Sequence, residues 1–199
     1  MRYSVVIVGV GGQGVMLASR VIGECAMNEG YEVVASEVHG MAQRGGSVTA
    51  MVRFGEGVLS PLVPRAGAGL IVGFEPLETY RALSFANKNT LVVTDVERIV
   101  PMAVIDGNEK YPDVNCLLEG MTRVGLRVVA LDATEMAEKA GTRLAVNSVL
   151  IGAASSMPNF PLGHEGLRST LMASVPERFR KENESAFNLG RKAASKAMR

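Results

Sequence analysis

Apolar positions in the first half of the chain follow the two spacings typical of strands and helices. Residues 4–8 include four consecutive apolar side chains and predict a buried strand. Apolar positions then recur every three or four residues over 13–28, which predicts an amphipathic helix that ends at Gly30. Residues 31–36 predict a second strand, and the alternation of apolar and polar positions over 47–54 predicts a third.

The short connection between the second and third strands determines how they pair. About ten residues separate the two strands, whereas a parallel crossover needs a dozen or more residues, usually with a helix. We therefore expect these strands to be antiparallel, which makes the sheet mixed. Further strands are predicted at 70–74, 90–94 and 127–131.

The second half of the chain is predicted to be mainly helical. Asp113 caps a helix that ends before Gly125 and whose apolar face comprises Val114, Leu117, Leu118, Met121 and Val124. Other helical patterns lie at 75–86, 132–141, 142–157, 164–174 and 176–198, whereas 96–112 predicts short strands and a turn. The predicted fold class is therefore α/β: a single domain over residues 1–199 with a mixed, mostly parallel sheet flanked by helices. Residues from about 158 to 199 are expected to form a helical C-terminal arm.

Composition excludes several classes of function. Hydrophobic residues make up 47% of the chain and charged residues 21%, which is typical of a globular protein. A net charge of +1 and the absence of tryptophan argue against binding to nucleic acid or to an anionic membrane. No segment has the pattern of a membrane span, and the apolar run that precedes Gly9 continues into a glycine loop rather than a signal-peptide cleavage site.

The two cysteines, Cys25 and Cys116, limit the cofactors that this chain can hold. Two thiols cannot supply the four ligands of a common iron–sulfur cluster or of a structural zinc, so no metal site is predicted on this chain. Cys25 lies on the apolar side of the first helix and is expected to be a buried packing residue. The lack of a disulfide pattern fits a reducing compartment, and we expect the protein to be cytoplasmic.

Two glycine-rich segments follow predicted strands and suggest a binding surface. The first, GVGGQG at 9–14, precedes a helix, and the second, HGMAQRGGS at 39–47, follows the second strand. Glycines allow backbone N–H groups to approach a ligand closely, and a helix N-terminus adds a partial positive charge. The pair predicts an anion-binding surface at the carboxyl ends of two strands. The candidate binding residues are Gly9, Gly11, Gly12, Gln13, Gly14, Glu37, His39, Gln43, Arg44, Gly45 and Gly46.

Individual side chains near these segments allow more than one interpretation. Gln13 is placed to point into the site, and Arg44 is expected to meet a phosphate or carboxylate, the alternative being a solvated loop residue. His39 is either an ordinary loop residue or a proton-transfer group. Asp95 and Asp132 are expected to end strands and cap helices, and no residue is assigned a covalent catalytic role.

Asn147 lies inside an apolar helix, where bonding to a neighbouring loop is favoured over contact with a ligand.

Gly9, Gly11 and Gly14, with Glu37 near the end of the second strand, fit the fingerprint of a dinucleotide-binding unit. The missing helix between the second and third strands argues against that unit, and no P-loop is present.

The motifs resemble those of a known family, the gamma subunits or domains of 2-oxoacid:ferredoxin oxidoreductases. The resemblance covers nearly the whole chain, and within the family the chain is most similar to the small subunits of the indolepyruvate branch, with the pyruvate and 2-oxoglutarate branches as alternatives. The matching segments are GVGGQG at 9–14, EVHGMAQRGGS at 37–47, Val52-Arg53, EPLE at 75–78, Asn147 with Gly152, and ESAFNLG at 184–190.

This resemblance implies a role in an assembled enzyme. Such enzymes oxidatively decarboxylate a 2-oxo acid with coenzyme A, giving an acyl-CoA, carbon dioxide and reduced ferredoxin. The resemblance implies that a large partner subunit holds thiamine diphosphate and the iron–sulfur clusters, and that coenzyme A is a substrate. On this hypothesis the isolated chain is inactive and its glycine segments face the active centre. Two other hypotheses remain: a stand-alone dinucleotide-binding protein and a purely structural assembly subunit.

Overall fold

A six-stranded mixed sheet organises the chain. The computed structural model describes residues 1–39, 45–100, 104 and 110–198. The strands, in the spatial order β2-β3-β1-β4-β5-β6, are β1 (Arg2–Val10), β2 (Val33–His39), β3 (Ser47–Gly55), β4 (Leu70–Gly73), β5 (Leu91–Asp95) and β6 (Arg127–Leu131).

Strand β3 is the antiparallel member of this sheet. It pairs antiparallel with β1, where Val5 lies opposite Val52, and with β2, where Val33 lies opposite Phe54. The remaining pairs, β1–β4, β4–β5 and β5–β6, are parallel. The predicted mixed, mostly parallel sheet and the antiparallel pairing of β2 with β3 are therefore confirmed.

Helices cover both faces of the sheet because its central strands are apolar on both sides. In β1, Val5 and Ile7 belong to one buried cluster, and Val6 and Val8 belong to a second cluster on the opposite face. The helices are α1 (Val15–Asn28), α2 (Pro76–Arg81), α3 (Val114–Arg123), α4 (Ala133–Lys139), α5 (Val146–Ala154), α6 (His164–Ser174) and α7 (Arg180–Ala197).

Three helices are shorter than the sequence predicts because their ends tighten into 3₁₀ turns. The 75–86 helix ends in a turn at Ala82–Phe85, the 142–157 helix starts with one at Arg143–Ala145, and the 176–198 helix follows one at Glu177–Phe179. In the 96–112 segment, residues 96–100 and 110–112 form no strand, and 101–103 and 105–109 lie outside the described residues.

The C-terminal helix α7 packs closely against α5. A methyl group at Gly152 would lie 2.8 Å from the carbonyl carbon of Phe187 and closer still to its oxygen, and Gly190 meets the backbone of Val149 in the same way. Ala186 and Phe187 are fully buried in the larger cluster. The C-terminal helical segment therefore completes the core on one face of the sheet.

The predicted apolar face of α3 needs a correction at its end. Leu117 and Met121 are buried and Leu118 is partly buried, but Val124 is 66% exposed. Val124 is the residue that ends the helix, and Gly125 follows it with a left-handed φ of 85°. The chain therefore leaves the helix before Val124 can contribute to the apolar face.

Candidate active-centre surface

The first glycine segment forms the loop between β1 and α1. Gly12 and Gly14 have φ values of 102° and 86°, a left-handed conformation that favours glycine. Gly14 is the N-cap of α1, and no side chain caps the helix there. A methyl group at Gly14 would also lie 2.8 Å from Oδ1 of Asn147, so a larger residue would strain the backbone and displace the Asn147 amide.

Gln13 fixes this loop to the neighbouring strands. Its Oε1 accepts a hydrogen bond from the N–H of Val10 at 2.7 Å, and its Nε2 donates to the carbonyl of Phe74 at 2.7 Å. The sequence predicts that Gln13 points into the site. Gln13 lines the cavity described below, and its amide also joins the loop to the ends of β1 and β4. Gly9 is equally confined, because a methyl group there would lie 2.8 Å from Cβ of Phe74.

The two glycine segments are in direct contact. The N–H of Gly11 donates to the carbonyl of Gly46 at 2.8 Å. The next residue, Ser47, donates from its hydroxyl to Oε2 of the buried Glu78 at 2.5 Å, and Glu78 also pairs with Arg81 at 2.6 Å. Gly46 is thus bonded to the first segment, and the neighbouring Ser47 is held by a buried carboxylate on α2.

The other predicted site residues are distributed more widely. Gly45 has a left-handed φ of 77°, and His39 is the last residue of β2. Gln43 and Arg44 lie outside the described residues. Glu37 lies on the edge strand β2 and lines a groove beside α1, together with Met16, rather than the cavity described below. The glycines and the acid of the dinucleotide fingerprint therefore do not line one cavity.

A cavity of about 480 Å³ opens beside the first glycine segment. It lies at the carboxyl ends of the strands, where ligands bind in open α/β sheets. The residues that line it are Gly11, Gly12, Gln13, Gly14, Glu97, Ile99, Thr134, Arg143, Leu144, Val146 and Asn147.

Asp95 organises the far wall of this cavity. Its Oδ1 accepts hydrogen bonds from the N–H groups of Ala133 at 3.0 Å and Glu97 at 3.2 Å, and its Oδ2 accepts from the hydroxyl of Thr134 at 3.0 Å. Burial raises the pKa of Asp95 above its ordinary value. Asp132 accepts from the N–H of Glu135 at 2.8 Å and caps α4, so the predicted roles of both aspartates are confirmed.

The side chain of Asn147 does not make the hydrogen bond that the sequence predicts with any described residue. The side chain is 7% exposed and lies against Gly14 at the base of the cavity. It makes no hydrogen bond with any residue that the structure describes, so the expected bond to a neighbouring loop is not found among them.

The positive charge of Arg143 at the rim of the cavity is more than offset by two carboxylates. Arg143 pairs with Glu97, and its other terminal nitrogen lies 3.8 Å from a carboxylate oxygen of Glu138. Leu144 beside them is 81% exposed.

A buried carboxylate at the start of α2 is a feature that the sequence analysis missed. Oε2 of Glu75 accepts from the N–H of Glu78 at 2.9 Å, and Oε1 accepts from the hydroxyl of Tyr111. Burial raises the pKa of Glu75. The cap could be inferred from Glu75-Pro76, but no local signal indicates a partner 36 residues further along the chain.

Comparison with known proteins identifies the family. Residues 4–193 match the family described as pyruvate ferredoxin/flavodoxin oxidoreductase. The chain belongs to this family. It is 41% identical over 202 residues to the "Indolepyruvate oxidoreductase subunit IorB" of Thermococcus kodakarensis, a match that covers 99% of this chain and 98% of that protein.

Solved structures of two ferredoxin oxidoreductases share the fold. The gamma subunit of the keto/oxoacid ferredoxin oxidoreductase from Geobacter sulfurreducens superimposes with a TM-score of 0.74 at 20% identity, covering 99% of this chain and 98% of that one. The 2-oxoglutarate:ferredoxin oxidoreductase from Magnetococcus marinus matches with a TM-score of 0.65 at 16% identity. That match covers 99% of this chain but 30% of the larger one, so the fold also occurs as part of a longer polypeptide.

The side chains of this family member do not fit a redox cluster. Cys25 is buried and Cys116 is exposed, and both are free thiols. Burial raises the pKa of Cys25 to about 12, which keeps that thiol protonated. Within the described ranges, no group of three or more His, Cys, Asp or Glu side chains could hold a metal ion, and no helix is long and apolar enough to cross a membrane.

Proposed function

We propose that this chain is the small subunit of an indolepyruvate:ferredoxin oxidoreductase. The observation that carries the proposal is the 41% identity to a subunit of an indolepyruvate oxidoreductase over nearly the full length of both chains. The assembled enzyme oxidatively decarboxylates a 2-oxo acid with coenzyme A, gives an acyl-CoA and carbon dioxide, and transfers the electrons to ferredoxin.

The partner is a large subunit that holds thiamine diphosphate and the iron–sulfur clusters. Two free cysteines on this chain, one of them buried, support this division because a cluster needs more thiolates than the chain has. The complex acts in the cytoplasm, and coenzyme A enters it as a substrate.

The two glycine segments form the surface of this chain that faces the active centre. Their contact through Gly11 and Gly46, and the support that Glu78 gives Ser47, make them one preorganised surface. Arg44, between these anchored residues in sequence, contacts an anionic group of a substrate. Such a surface works by positioning and by electrostatic stabilisation, without forming a covalent bond to the substrate.

Steady-state kinetics of the reconstituted complex test the substrate and the role of Arg44 together. We expect a higher kcat/KM for indolepyruvate than for pyruvate or 2-oxoglutarate. Arg44→Ala should lower kcat/KM by about tenfold to a hundredfold, the range for one lost hydrogen bond to a charged group, and Arg44→Lys should restore only part of it. The exposed Arg123→Ala provides a control, because its ion pair with Glu119 lies on the surface of α3.

Two results would contradict the proposal in different ways. A preference for pyruvate or 2-oxoglutarate would assign the chain to another branch of the family. Unchanged kinetics for Arg44→Ala with unchanged subunit affinity would remove Arg44 from the surface that faces the active centre.

A further inference from the structure

The N-terminus of α1 presents hydrogen-bond donors that the described protein does not use. The backbone N–H groups of Gly14, Val15 and Met16 make no hydrogen bond with any described residue, and Gly14 offers no side chain to cap them. Helix α1 has 14 residues, so its N-terminus carries the partial positive charge of a full helix dipole. Free donors with this charge favour an oxygen anion.

Asn147 supplies an independent indication of a ligand at the same place. Its side chain is 7% exposed, lines the cavity beside Gly14, and makes no hydrogen bond among the described residues. The polar atoms of this amide are open to the cavity rather than enclosed by protein, so they are free to bond to a group that enters it. One Asn amide can both donate to an oxygen anion and accept from a hydroxyl or N–H of the same ligand.

The surrounding charges limit how much negative charge the ligand carries. Arg143 at the rim pairs with Glu97 and lies 3.8 Å from a carboxylate oxygen of Glu138, so these side chains supply no net positive charge to the cavity. The helix terminus adds about half an elementary charge. This balance suits a singly charged group better than a chain of several phosphates.

We propose that Asn147 and the N-terminus of α1 bind one oxyanion group, a carboxylate or a single phosphate. The Nδ2 of Asn147 and the free N–H groups of α1 donate to the oxyanion, and the apolar Ile99 and Val146 line the cavity beside it. This inference rests on the proposed function for the source of the group, which is the carboxylate of the 2-oxo acid or a phosphate of coenzyme A.

Backbone-amide NMR of the full chain tests the binding directly and needs no partner subunit. Titration with sodium acetate and, separately, with inorganic phosphate should shift the N–H signals of Gly14, Val15 and Met16 and the side-chain amide of Asn147, with saturation. Saturation by acetate alone identifies a carboxylate site, and saturation by phosphate alone identifies a phosphate site. Saturation by both supports the shared oxyanion chemistry.

Two substitutions that add the same charge distinguish an effect at this site from an effect of the protein's net charge. Asn147→Asp keeps the size of the side chain but places a carboxylate at the site, and it should weaken binding by about tenfold to a hundredfold. Asn188→Asp adds the same charge on the exposed side of α7, away from the cavity, and should leave binding unchanged. If Asn147→Asp does not fold, the titration of the wild-type chain still tests the proposal.

The proposal is overturned if neither anion gives saturable shifts in the wild-type chain, or if a folded Asn147→Asp chain binds as tightly as the wild type. Failure of the proposed function is distinguishable, because it appears as absent turnover in a complex of wild-type chains. In an active complex, Asn147→Ala should raise the KM of the substrate that carries the oxyanion while the other KM stays unchanged.

Discussion

Replacing Gly152 by alanine is expected to separate two helices whose backbones touch. Gly152 lies in α5, and its added methyl group would meet the main-chain carbonyl of Phe187 in α7, with the carbonyl carbon 2.8 Å away. A main-chain carbonyl inside a helix cannot rotate aside as a side chain can. The helices must therefore move apart, and the buried Phe187 must move with α7.

The magnitude follows from two opposing terms. Alanine in place of glycine inside a helix stabilises the folded state by about 1 kcal/mol. Overpacking of a well-packed core costs about 1–3 kcal/mol, and we take the upper end because the obstacle is backbone. Gly152→Ala should therefore lower the free energy of unfolding by about 2 kcal/mol.

Gly23→Ala in α1 is the matched control for this substitution. A methyl group there would lie 3.7 Å from Cγ1 of Val33 and 3.9 Å from Cγ1 of Val52, which are ordinary contact distances. This variant should be more stable than the wild type by about 1 kcal/mol, because only the helix-propensity term applies. Urea denaturation of the full chain measures both, and equal gains in the two variants would refute the close packing of α5 against α7.

Three further predictions concern the core, a buried charge and the glycine loop. Met121→Ala should lower the free energy of unfolding by about 2–5 kcal/mol because Met121 is fully buried. Leu118→Ala should lower it by only about 1 kcal/mol because Leu118 is partly buried. Equal losses in urea denaturation would contradict the assigned face of α3. Because burial raises the pKa of Asp95, its contribution to stability is present below the ordinary pKa of aspartate and is lost as pH rises through the raised value. Asp95→Asn should therefore melt higher than the wild type near neutral pH, with the two melting temperatures converging in acid, and a constant difference would contradict this. Gln13→Ala removes two hydrogen bonds to backbone and should cost about 1–3 kcal/mol, whereas an unchanged denaturation midpoint would show that the loop holds without them.

Local patterns were sufficient to predict most of the fold. The alternation in β3 and the short connection before it predict the antiparallel pairing, because strand period and loop length are properties of neighbouring residues. Capping residues such as Asp113 and Asp132 likewise set the starts of α3 and α4. The inclusion of Val124 in the apolar face of α3 was wrong, because helical periodicity does not show where the last turn of a helix ends.

The candidate site was only partly predictable. The two glycine segments were expected to form one surface, and the contact between Gly11 and Gly46 joins them. The hydrogen bond from Tyr111 to Glu75 and the proximity of Asn147 to Gly14 join residues far apart in sequence, so periodicity carries no information about them. Gln13 lines the cavity, and its role as a ligand contact stays a prediction; the two hydrogen bonds of its amide to backbone could not be predicted, because a polar residue among glycines does not reveal which backbone groups lie within its reach.

Reconstitution of the enzyme from separately purified subunits tests whether this chain is a required part of an indolepyruvate-oxidising complex. The measurement is ferredoxin reduction that depends on both indolepyruvate and coenzyme A, for each subunit alone and for the mixture. We predict that this chain alone gives no turnover and that the mixture does, with a saturable dependence on the concentration of this chain. Turnover by the isolated chain, or a large subunit whose activity does not change when this chain is added, would contradict this role.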